Sequence, residues 1–394
     1  MEAKELHYQN VLQISVNVKR QLWNKLEKEI LSFAKGFLET LFQEAIKEQI
    51  GADRYERTSE RKDYRNGSYK RSLTTKYGHI EELEVPRLRH SSLNQNAVDR
   101  YERIHDDVDL AIGKLFLAGV STRRLKSIAK ELFGRPVSAQ TVSQATESLE
   151  AELEQYRTAE LDDNYEFLFL DGIHDKVREI GVEKKVLLCA LGIRPDGTKK
   201  ILAFRLVDQE DEAVWSAFLV ELKSRGLKGN KLKMITTDGQ PGLCKALKQH
   251  YTFVPQQRCI AHKMRNVVVK LKRAQKKPCM DGARLIWAAP NRKEAIRRFK
   301  EWEAKWYPEA ERAVKCMKKD LYACLRYYDL PKEHWKTVRT TNILERSFRE
   351  VRRRTRPMNF YPNAKSAEKI FYGVTNYLNQ NWNNQIEKEF THKT

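Results

Sequence analysis

Apolar residues near the N-terminus recur at steps of three and four positions. Between residues 17 and 50 this spacing places them on one face of one or two helices. The face consists of Trp23, Leu26, Ile30, Phe33, Phe37 and Leu41. Ordinary core packing is the commoner use of such a face, and a dimerisation surface is the alternative. The pattern by itself does not separate the two.

Residues 54–90 have a pattern typical of short strands. Two strands are predicted over residues 71–77 and 79–85, and Asn66-Gly67 is a turn signal. This segment carries ten Lys and Arg against six Asp and Glu. It therefore predicts a small basic β-element, which either lies on DNA or is a solvated hairpin.

Residues 107–157 have helical spacing, with Ser121 and Ser138 at positions favoured for N-caps. Gly134 breaks the pattern, and a second helix is predicted over residues 139–149. A helix, a short glycine-containing turn and a polar second helix are typical of a helix-turn-helix, although a plain helical hairpin looks similar. The candidate base-contacting residues of the second helix are Gln140, Thr141 and Gln144.

From residue 165 the pattern is that of an α/β domain. The predicted strands cover residues 167–171, 186–193, 200–207, 231–237 and 253–257, with a helix over residues 215–222 before the fourth strand. Residues 279–330 lose the strand pattern and predict helices. This order is not doubly wound, and no glycine-rich nucleotide-binding loop is present.

Composition narrows the class of protein. The 394 residues predict two or three domains, and 74 Lys and Arg against 53 Asp and Glu give a net charge of +21. Such an excess favours nucleic acid as the partner, although a merely soluble basic protein is the alternative. The longest apolar run, residues 186–193, is too short to span a membrane. The N-terminus has no signal-peptide core, and six scattered cysteines without a CxxC pair predict a reducing, cytoplasmic location.

Two aspartates follow predicted strands, Asp171 and Asp238, and a glycine comes directly after each. Strand ends are where open α/β sheets place ligands and catalytic groups. A single Asp-Gly pair is usually only a turn. Two such pairs, each closing an apolar strand in a basic chain, indicate an acidic site.

A third acidic candidate is Glu345, in a segment with seven arginines and two glutamates between residues 339 and 356. Leu344 and Phe348 give this segment an apolar helical face, and Glu345 lies on a neighbouring face. The alternatives are a capping box with Asn342 as N-cap and an ordinary solvated face. The candidate phosphate-binding residues of this helix are Arg339, Arg346, Arg349, Arg352 and Arg353.

These three carboxylates predict a metal site. Hard cations such as Mg²⁺ (or Mn²⁺) prefer oxygen ligands. Two such ions about 3.5–4 Å apart activate a water or a 3′-hydroxyl and stabilise the leaving oxygen in phosphodiester chemistry. We expect Asp171, Asp238 and Glu345 to hold two ions.

Cys259 and His262 lie within a strongly basic stretch, since residues 258–277 carry eight Lys and Arg and no acid. If this stretch is one helix, it forms a ridge facing DNA. Its candidate DNA contacts are Arg258, Lys263 and Arg265. Two potential ligands do not make a zinc site. His262 could reach a phosphate or a leaving-group oxygen, although a structural histidine fits equally well.

Together these motifs resemble those of mutator-type bacterial insertion-sequence transposases, a branch of the DDE transposases. The resemblance covers about residues 60–365 and is most specific in the Cys259 to His262 block and the block around Glu345. The matching segments are Tyr64-Arg65-Asn66-Gly67, Val85-Pro86-Arg87, Leu170-Asp171-Gly172, Lys176-Val177-Arg178, Thr237-Asp238-Gly239, Gln257-Arg258-Cys259 with His262, and Arg339-Thr340-Thr341-Asn342 with Glu345-Arg346.

The resemblance implies an RNase H-like α/β core with a helical insertion before the last acid. It also implies Asp171, Asp238 and Glu345 as the metal-binding triad, with Lys176 and Arg178 near the DNA. The implied activity is cleavage at terminal inverted repeats and strand transfer into target DNA through a circular intermediate, by a homodimer or larger assembly. Two positions depart from the pattern: Asp175 is a rival acid, and Phe348 replaces a commonly polar residue.

The predicted division has a mainly helical DNA-binding region before the catalytic core. Its segments are residues 1–53 (helical, a possible dimerisation region), 54–106 (basic β-element), 107–160 (helix-turn-helix), 161–278 (first part of the core), 279–335 (helical insertion) and 336–394 (last catalytic helix and tail). Two other functions stay open: a regulatory DNA-binding protein of the same fold without turnover, and a structure-selective nuclease.

Overall fold

The structure is a computed structural model of the chain. It describes residues 2–93, 103–117, 120–145, 148–178, 182–355, 361 and 363–382. The chain divides into two compact units, Met1–Glu147 and Ser148–Thr394.

The first unit begins with one long helix, α1 (Glu2–Ile50), followed by the strands β1 (Arg65–Thr75) and β2 (Gly78–Leu88). The two strands pair as an antiparallel hairpin, which confirms the predicted basic β-element as a structure. The face of α1 that packs on this hairpin includes Leu31, Leu38 and Phe42. The apolar face predicted from the sequence is a different one, and its residues are exposed.

The turn predicted at Asn66-Gly67 is absent from the hairpin. Asn66-Gly67 does not reverse the chain but lies inside β1, where the pairing register shifts between Arg65 and Ser68. Gly67 has a φ of +70°, a left-handed conformation that glycine adopts without strain. The turn signal therefore marks a β-bulge, in which an extra residue is accommodated within the strand.

Three helices complete the first unit, and they share one apolar core. They are α2 (Asp106–Leu117), α3 (Thr122–Phe133) and α4 (Ala139–Gln144). Both predicted N-caps are confirmed, because the Ser121 side chain accepts a hydrogen bond from the Arg124 N–H and the Ser138 side chain accepts one from the Thr141 N–H. Gly134 ends α3 at a φ of +74°.

The second helix of this pair is shorter than the predicted span of residues 139–149. It ends at Gln144, and the next helix, α5 (Ser148–Thr158), belongs to the second unit. There α5 is fixed by ion pairs from Glu150 to Lys365 and Lys369. The boundary between the two units falls between Glu147 and Ser148, and the division predicted after residue 160 stays a prediction.

A five-stranded mixed sheet is the centre of the second unit. Its strands are β3 (Phe167–Arg178), β4 (Val182–Ile193), β5 (Lys199–Val207), β6 (Met234–Thr237) and β7 (Gln256–Arg258). The order across the sheet is β5-β4-β3-β6-β7. The first three strands along the chain form an antiparallel meander, and β6 and β7 run parallel to β3. Every predicted strand of this domain is present, with shifted ends.

Helices surround this sheet and follow it in the chain. They are α6 (Glu212–Ser224), α7 (Pro241–His250), α8 (Ile260–Val268), α9 (Arg273–Trp287), α10 (Arg292–Lys319), α11 (Leu321–Cys324), α12 (Trp335–Val338), α13 (Asn342–Thr355) and α14 (Ala364–Trp382). The apolar face of α6, including Trp215 and Phe218, is buried in the core. Between β7 and α13 the described chain has helices and no strand, as predicted for residues 279–330.

The basic stretch of residues 258–277 is not one helix. It contains α8 and the start of α9, separated by residues 269–272. All six cysteines are free. No helix in the described part of the chain combines the length and apolar character needed to cross a membrane.

Candidate active site

Two acidic side chains lie on neighbouring strands. The parallel pairing of β3 with β6 ends at Leu170 opposite Thr237, so Asp171 and Asp238 are the next residues on each strand. Asp238 directly follows β6, as predicted. Asp171 does not end its strand: β3 continues to Arg178 because β4 pairs with it along its whole length. Asp171 is therefore held within the ladder, opposite Cys189.

The Asp171 carboxyl group is in an unfavourable place for a negative charge. Its side chain is buried, and burial together with the neighbouring charge of Asp238 raises its pKa to about 8. Hydrogen bonds from the Thr341 side chain and the Gly172 N–H act in the opposite direction but do not offset the burial. A buried acid of this kind is stabilised by a cation, because a positive charge favours the ionised form.

The third acid, Glu345, is on α13 and is already paired. Arg265 holds it with both guanidinium nitrogens at 2.7 Å, one on each carboxylate oxygen. This contact lowers the pKa of Glu345. The alternative of a capping box does not apply, because α13 begins at Asn342 itself. Glu345 Oε1 is shielded from solvent and makes no hydrogen bond of good geometry among the described residues.

His262, the first basic side chain of α8, lies between Glu345 and the start of α13. Its Nε2 is 3.6 Å from Glu345 Oε1, and its Nδ1 is 3.3 Å from Thr341 Oγ1. Burial lowers the pKa of His262, and the charge of Arg265 adds to that effect. A neutral imidazole with one free lone pair can accept a proton at neutral pH.

Cys259 is a fixed structural group at this site. Its thiol is buried, and burial raises its pKa, so it is mainly in the unreactive thiol form. The sulfur accepts hydrogen bonds from the Thr341 N–H at 3.2 Å and from the Thr341 hydroxyl at 3.4 Å. Cys259 thereby positions the residue before α13.

Thr341 was not identified as a site residue from the sequence. Its hydroxyl lies within hydrogen-bonding reach of Asp171, Cys259 and His262. A hydroxyl has one proton to donate, so it can serve only one of these acceptors at a time. Thr341 therefore links β3, α8 and α13. In the sequence, Thr341 could be found only through the block of residues around Glu345 that contains it. No pattern in that block distinguishes Thr341 from Thr340.

Glu210 is a further acid that the sequence analysis did not identify. It precedes α6, and its Oε1 accepts a hydrogen bond from Trp215 Nε1 at 3.0 Å. A Cβ added at Gly172 would lie 3.2 Å from Glu210 Oε2, which places this carboxylate beside the backbone that follows Asp171. Burial raises the pKa of Glu210, and the charge of Asp238 contributes.

Three of the eight basic residues between residues 258 and 277 are engaged by acids. The Lys263 side chain is only 2% exposed and donates a hydrogen bond to Asp320. Arg258 Nη1 lies 3.2 Å from Oδ1 of the same Asp320. Arg265 binds Glu345. Lys263 was predicted to contact DNA, but its ammonium group is buried in this ion pair and does not reach the surface. Arg258 and Lys263 thereby join β7 and α8 to the end of α10.

The arginines of α13 have a different environment. Arg346, Arg349, Arg352 and Arg353 are exposed. Arg339, just before the helix, is half-buried and donates a hydrogen bond to the Trp287 carbonyl. Phe348 is buried, which explains an apolar residue at that position. The side chains of Asp175, Lys176 and Arg178 lie outside the described residues.

The donor set fits a divalent cation in part. Asp171 and Asp238 provide oxygen ligands side by side, and Asp171 has the burial and raised pKa that a nearby cation would relieve. Glu345, however, faces Arg265. Accordingly, no group of three or more His, Cys, Asp or Glu side chains in the described part of the chain is arranged around one point as a metal site.

The acids lie on a mixed sheet in a chain of net charge +21, and comparison identifies the family. The chain belongs to the Mutator family of transposases, which it matches over residues 6–385. The transposase for insertion sequence element ISRM5 of Rhizobium meliloti (strain 1021) is 32% identical over 350 residues, covering 88% of this chain and 87% of that protein. The transposase for insertion sequence element IS256 in transposon Tn4001 of Staphylococcus aureus is 31% identical over 359 residues, covering 89% and 90%.

Proposed function

We propose that this protein binds the terminal inverted repeats of its insertion sequence and catalyses metal-dependent DNA cleavage and strand transfer into target DNA, through a circular intermediate. Membership of the transposase family supports the general activity. The observation that carries the catalytic part is the burial of Asp171 beside Asp238, at the point where β6 ends.

The catalytic core is of the RNase H-like type in this proposal. Supporting it is the strand order, in which an antiparallel meander of three strands is extended on one side by two parallel strands. The position of the acids supports it further, since Asp171 is on the first strand of the meander and Asp238 follows the adjacent parallel strand. Glu345 comes from a helix after the insertion.

Asp171, Asp238 and Glu345 hold two Mg²⁺ or Mn²⁺ ions in this proposal. When bound, these ions supply Lewis-acid activation of the attacking oxygen and stabilisation of the leaving oxygen. Glu345 must exchange Arg265 for the metal. His262, neutral and 3.6 Å from Glu345, is placed to accept a proton or to hold a phosphate oxygen. Thr341 orients Asp171 when its hydroxyl donates to that carboxyl group and not to Cys259.

The first unit recognises the ends of the element. A cleft of about 630 Å³ on its hairpin is lined by four basic residues, Lys70, Arg71, Arg87 and Arg103, together with Tyr69 and several serines. Cations and hydroxyl groups around a concave surface suit a phosphate backbone. The α3–α4 pair presents Gln140 and Gln144, which are exposed and could contact base edges as a helix-turn-helix does. Thr141 is partly occupied by capping with Ser138.

The exposed arginines of α13 bind the backbone next to the reacting phosphate. Arg346 and Arg349 line a cavity of about 390 Å³ with Lys199 and Trp382. Arg352 and Arg353 extend the same helix surface. In this proposal the enzyme acts in the bacterial cytoplasm on nucleoid DNA, as a homodimer or larger assembly.

Strand transfer with the element's own ends tests this function. In Mg²⁺ the wild type should nick and join these ends, and Glu345→Gln should bind them equally well without cleaving. Glu301→Gln, at an exposed position of α10, is the control and should keep activity. Binding without cleavage by the wild type would instead identify a regulatory DNA-binding protein, and cleavage without joining would identify a nuclease.

A further inference from the structure

Helix α1 has two apolar faces, and the first unit covers only one of them. Leu31, Leu38 and Phe42 pack on the hairpin. On the other face Phe33 is 75% exposed and Trp23 is 56% exposed. The large apolar residues exposed along this helix are Val16, Val18, Leu22, Trp23, Leu26, Ile30, Phe33, Phe37 and Leu41. Soluble monomers rarely leave a contiguous apolar surface of this length in water.

The spacing on the exposed face is that of a coiled coil. Positions 16, 19, 23, 26, 30, 33, 37, 40 and 44 follow one another at alternating steps of three and four residues. We call these nine positions the α1 seam; they span four heptads, since 44 − 16 is 28. Val16, Trp23, Leu26, Ile30, Phe33 and Phe37 are its apolar members. A strict 3.5-residue repeat suits a second helix, because it keeps one narrow stripe facing a partner helix along its whole length.

The polar members of the seam select the partner and its direction. Lys19 is near one end and Glu44 is at the other, and both are exposed. In a parallel pair of identical helices Lys19 would face Lys19, and Glu44 would face Glu44. In an antiparallel pair Lys19 of one copy faces Glu44 of the other at both ends. Like charges at facing positions disfavour the first arrangement, and opposite charges favour the second.

The same positions fix the register. When Ile30 of one copy faces Phe33 of the other, Leu26 faces Phe37 and Lys19 faces Glu44. A shift of one heptad in one direction would place Lys19 against Phe37. A shift in the other direction would place Glu44 against Leu26. Only the first register brings apolar residues together at the centre and opposite charges together at the ends.

We propose that the α1 seam is a homodimerisation surface, which pairs with the α1 seam of a second copy as an antiparallel coiled coil. The occupant is the chain itself, because the seam is complementary to its own reverse in spacing, apolar content and charge. Dimer formation through α1 does not depend on the proposed catalytic function. A protein that dimerises but does not cut DNA would overturn that function and leave this interface standing.

Sedimentation velocity of the full-length protein, from nanomolar to micromolar concentration, tests the interface. The wild type should be a dimer, and Phe33→Glu should raise its Kd by about 30-fold or more, as for a central apolar contact. Phe33 is exposed in the single chain, so this change should leave the circular dichroism spectrum unchanged. Ser32→Glu is the matched control, since Ser32 is exposed and outside the seam, and should leave the Kd within about twofold.

Charge reversal tests the direction of the pair. Lys19→Glu should weaken the dimer about three- to tenfold, and Lys19→Glu combined with Glu44→Lys should restore it. A parallel pair predicts no restoration, because like charges would still face each other. A monomeric wild type at every concentration, or a dimer unaffected by Phe33→Glu, would overturn the interface.

Discussion

Two carboxylates of the candidate site, Asp171 and Glu345, have opposite environments. Asp171 is on a strand, buried next to Asp238, and burial raises its pKa to about 8. Glu345 is on a helix, and the Arg265 guanidinium lowers its pKa. The strand acid is thus beside a second acid, whereas the helix acid is paired with the Arg265 cation.

This difference indicates which part of the site is fixed and which part is adjustable. The β3–β4 ladder holds the backbone of Asp171 on both sides of the residue. Such an arrangement would keep Asp171 in place as a ligand in the proposed mechanism, before metal and DNA bind. Glu345 is held by a side-chain contact with Arg265, and in the proposed mechanism Arg265 competes with the metal for it.

The difference between Asp171 and Glu345 would have no meaning for catalysis if Asp171 proved dispensable for cleavage. Asp171→Asn should lower Mg²⁺-dependent cleavage by about 10³-fold or more, because the proposed metal site would lose one of its three carboxylates. DNA affinity should be retained. Cleavage of end-labelled element DNA and a parallel binding assay measure the two effects. Asp281→Asn, an exposed acid on α9, is the control, and loss of binding together with cleavage would mean that Asp171 has a structural role.

The link between the two halves of the site is Thr341. Thr341→Val keeps the shape and removes the hydroxyl, so cleavage should fall about 10- to 100-fold, as is usual when a group that orients a metal ligand is lost. Thr341→Ser retains the hydroxyl and should recover most of the rate. Single-turnover cleavage at several Mg²⁺ concentrations is the appropriate measurement. Equal rates for the Val and Ser variants would exclude an orienting role for the hydroxyl.

Removing the Arg265 guanidinium should make Glu345 more available to a metal ion. Arg265→Gln releases Glu345, whose pKa should rise towards its usual range. The Mn²⁺ concentration for half-saturation, measured by electron paramagnetic resonance without DNA, should then fall about two- to fivefold. Arg265→Lys keeps the charge without the two-pronged contact and should give an intermediate value. A higher Mn²⁺ requirement for Arg265→Gln would show that Arg265 assists metal binding.

A further effect of the contrast is expected on stability as a function of pH. The pKa of Asp171 is raised in the fold, to about 8 from a usual value of 3.8, so the folded state retains a proton that the unfolded state loses. The contribution of this group therefore declines as pH rises from about 4 to about 8 and is constant above that. Asp171→Asn removes this decline. In thermal unfolding without metal, the free energy of unfolding of the variant should increase relative to that of the wild type as pH rises across this window. The difference should reach about 1–3 kcal/mol at pH 8. An advantage that is the same at pH 4 and pH 8 would contradict the raised pKa.

The strand positions of the site were predictable because apolar strands and the Asp-Gly pairs that follow them are local signals. Asp238 is where that reasoning placed it. Asp171 is not at a strand end, because the pairing of β3 with β4 sets the length of β3. The sequence at Asp171 does not indicate that pairing. The same limit applies to Asn66-Gly67, whose turn signal is satisfied by a bulge.

Partners distant in sequence were not predictable. A run of basic residues gave no indication that Lys263 is buried against Asp320 while Arg265 reaches Glu345, since both contacts depend on how the insertion folds back on the sheet. Thr341 was hidden for the same reason. The spacing of the apolar face on α1 was visible in the sequence, but its exposure followed only from the placement of the hairpin on the other face.

The central claim is that acids from two strands and a helix share metal ions. Mn²⁺ titration of the full-length protein bound to an element end, monitored by electron paramagnetic resonance, tests it directly. The account predicts about two tightly bound ions per site in the wild type and in Glu301→Gln, and clear loss of tight binding in Asp171→Asn, Asp238→Asn and Glu345→Gln alike. Unchanged Mn²⁺ binding in Glu345→Gln would contradict it.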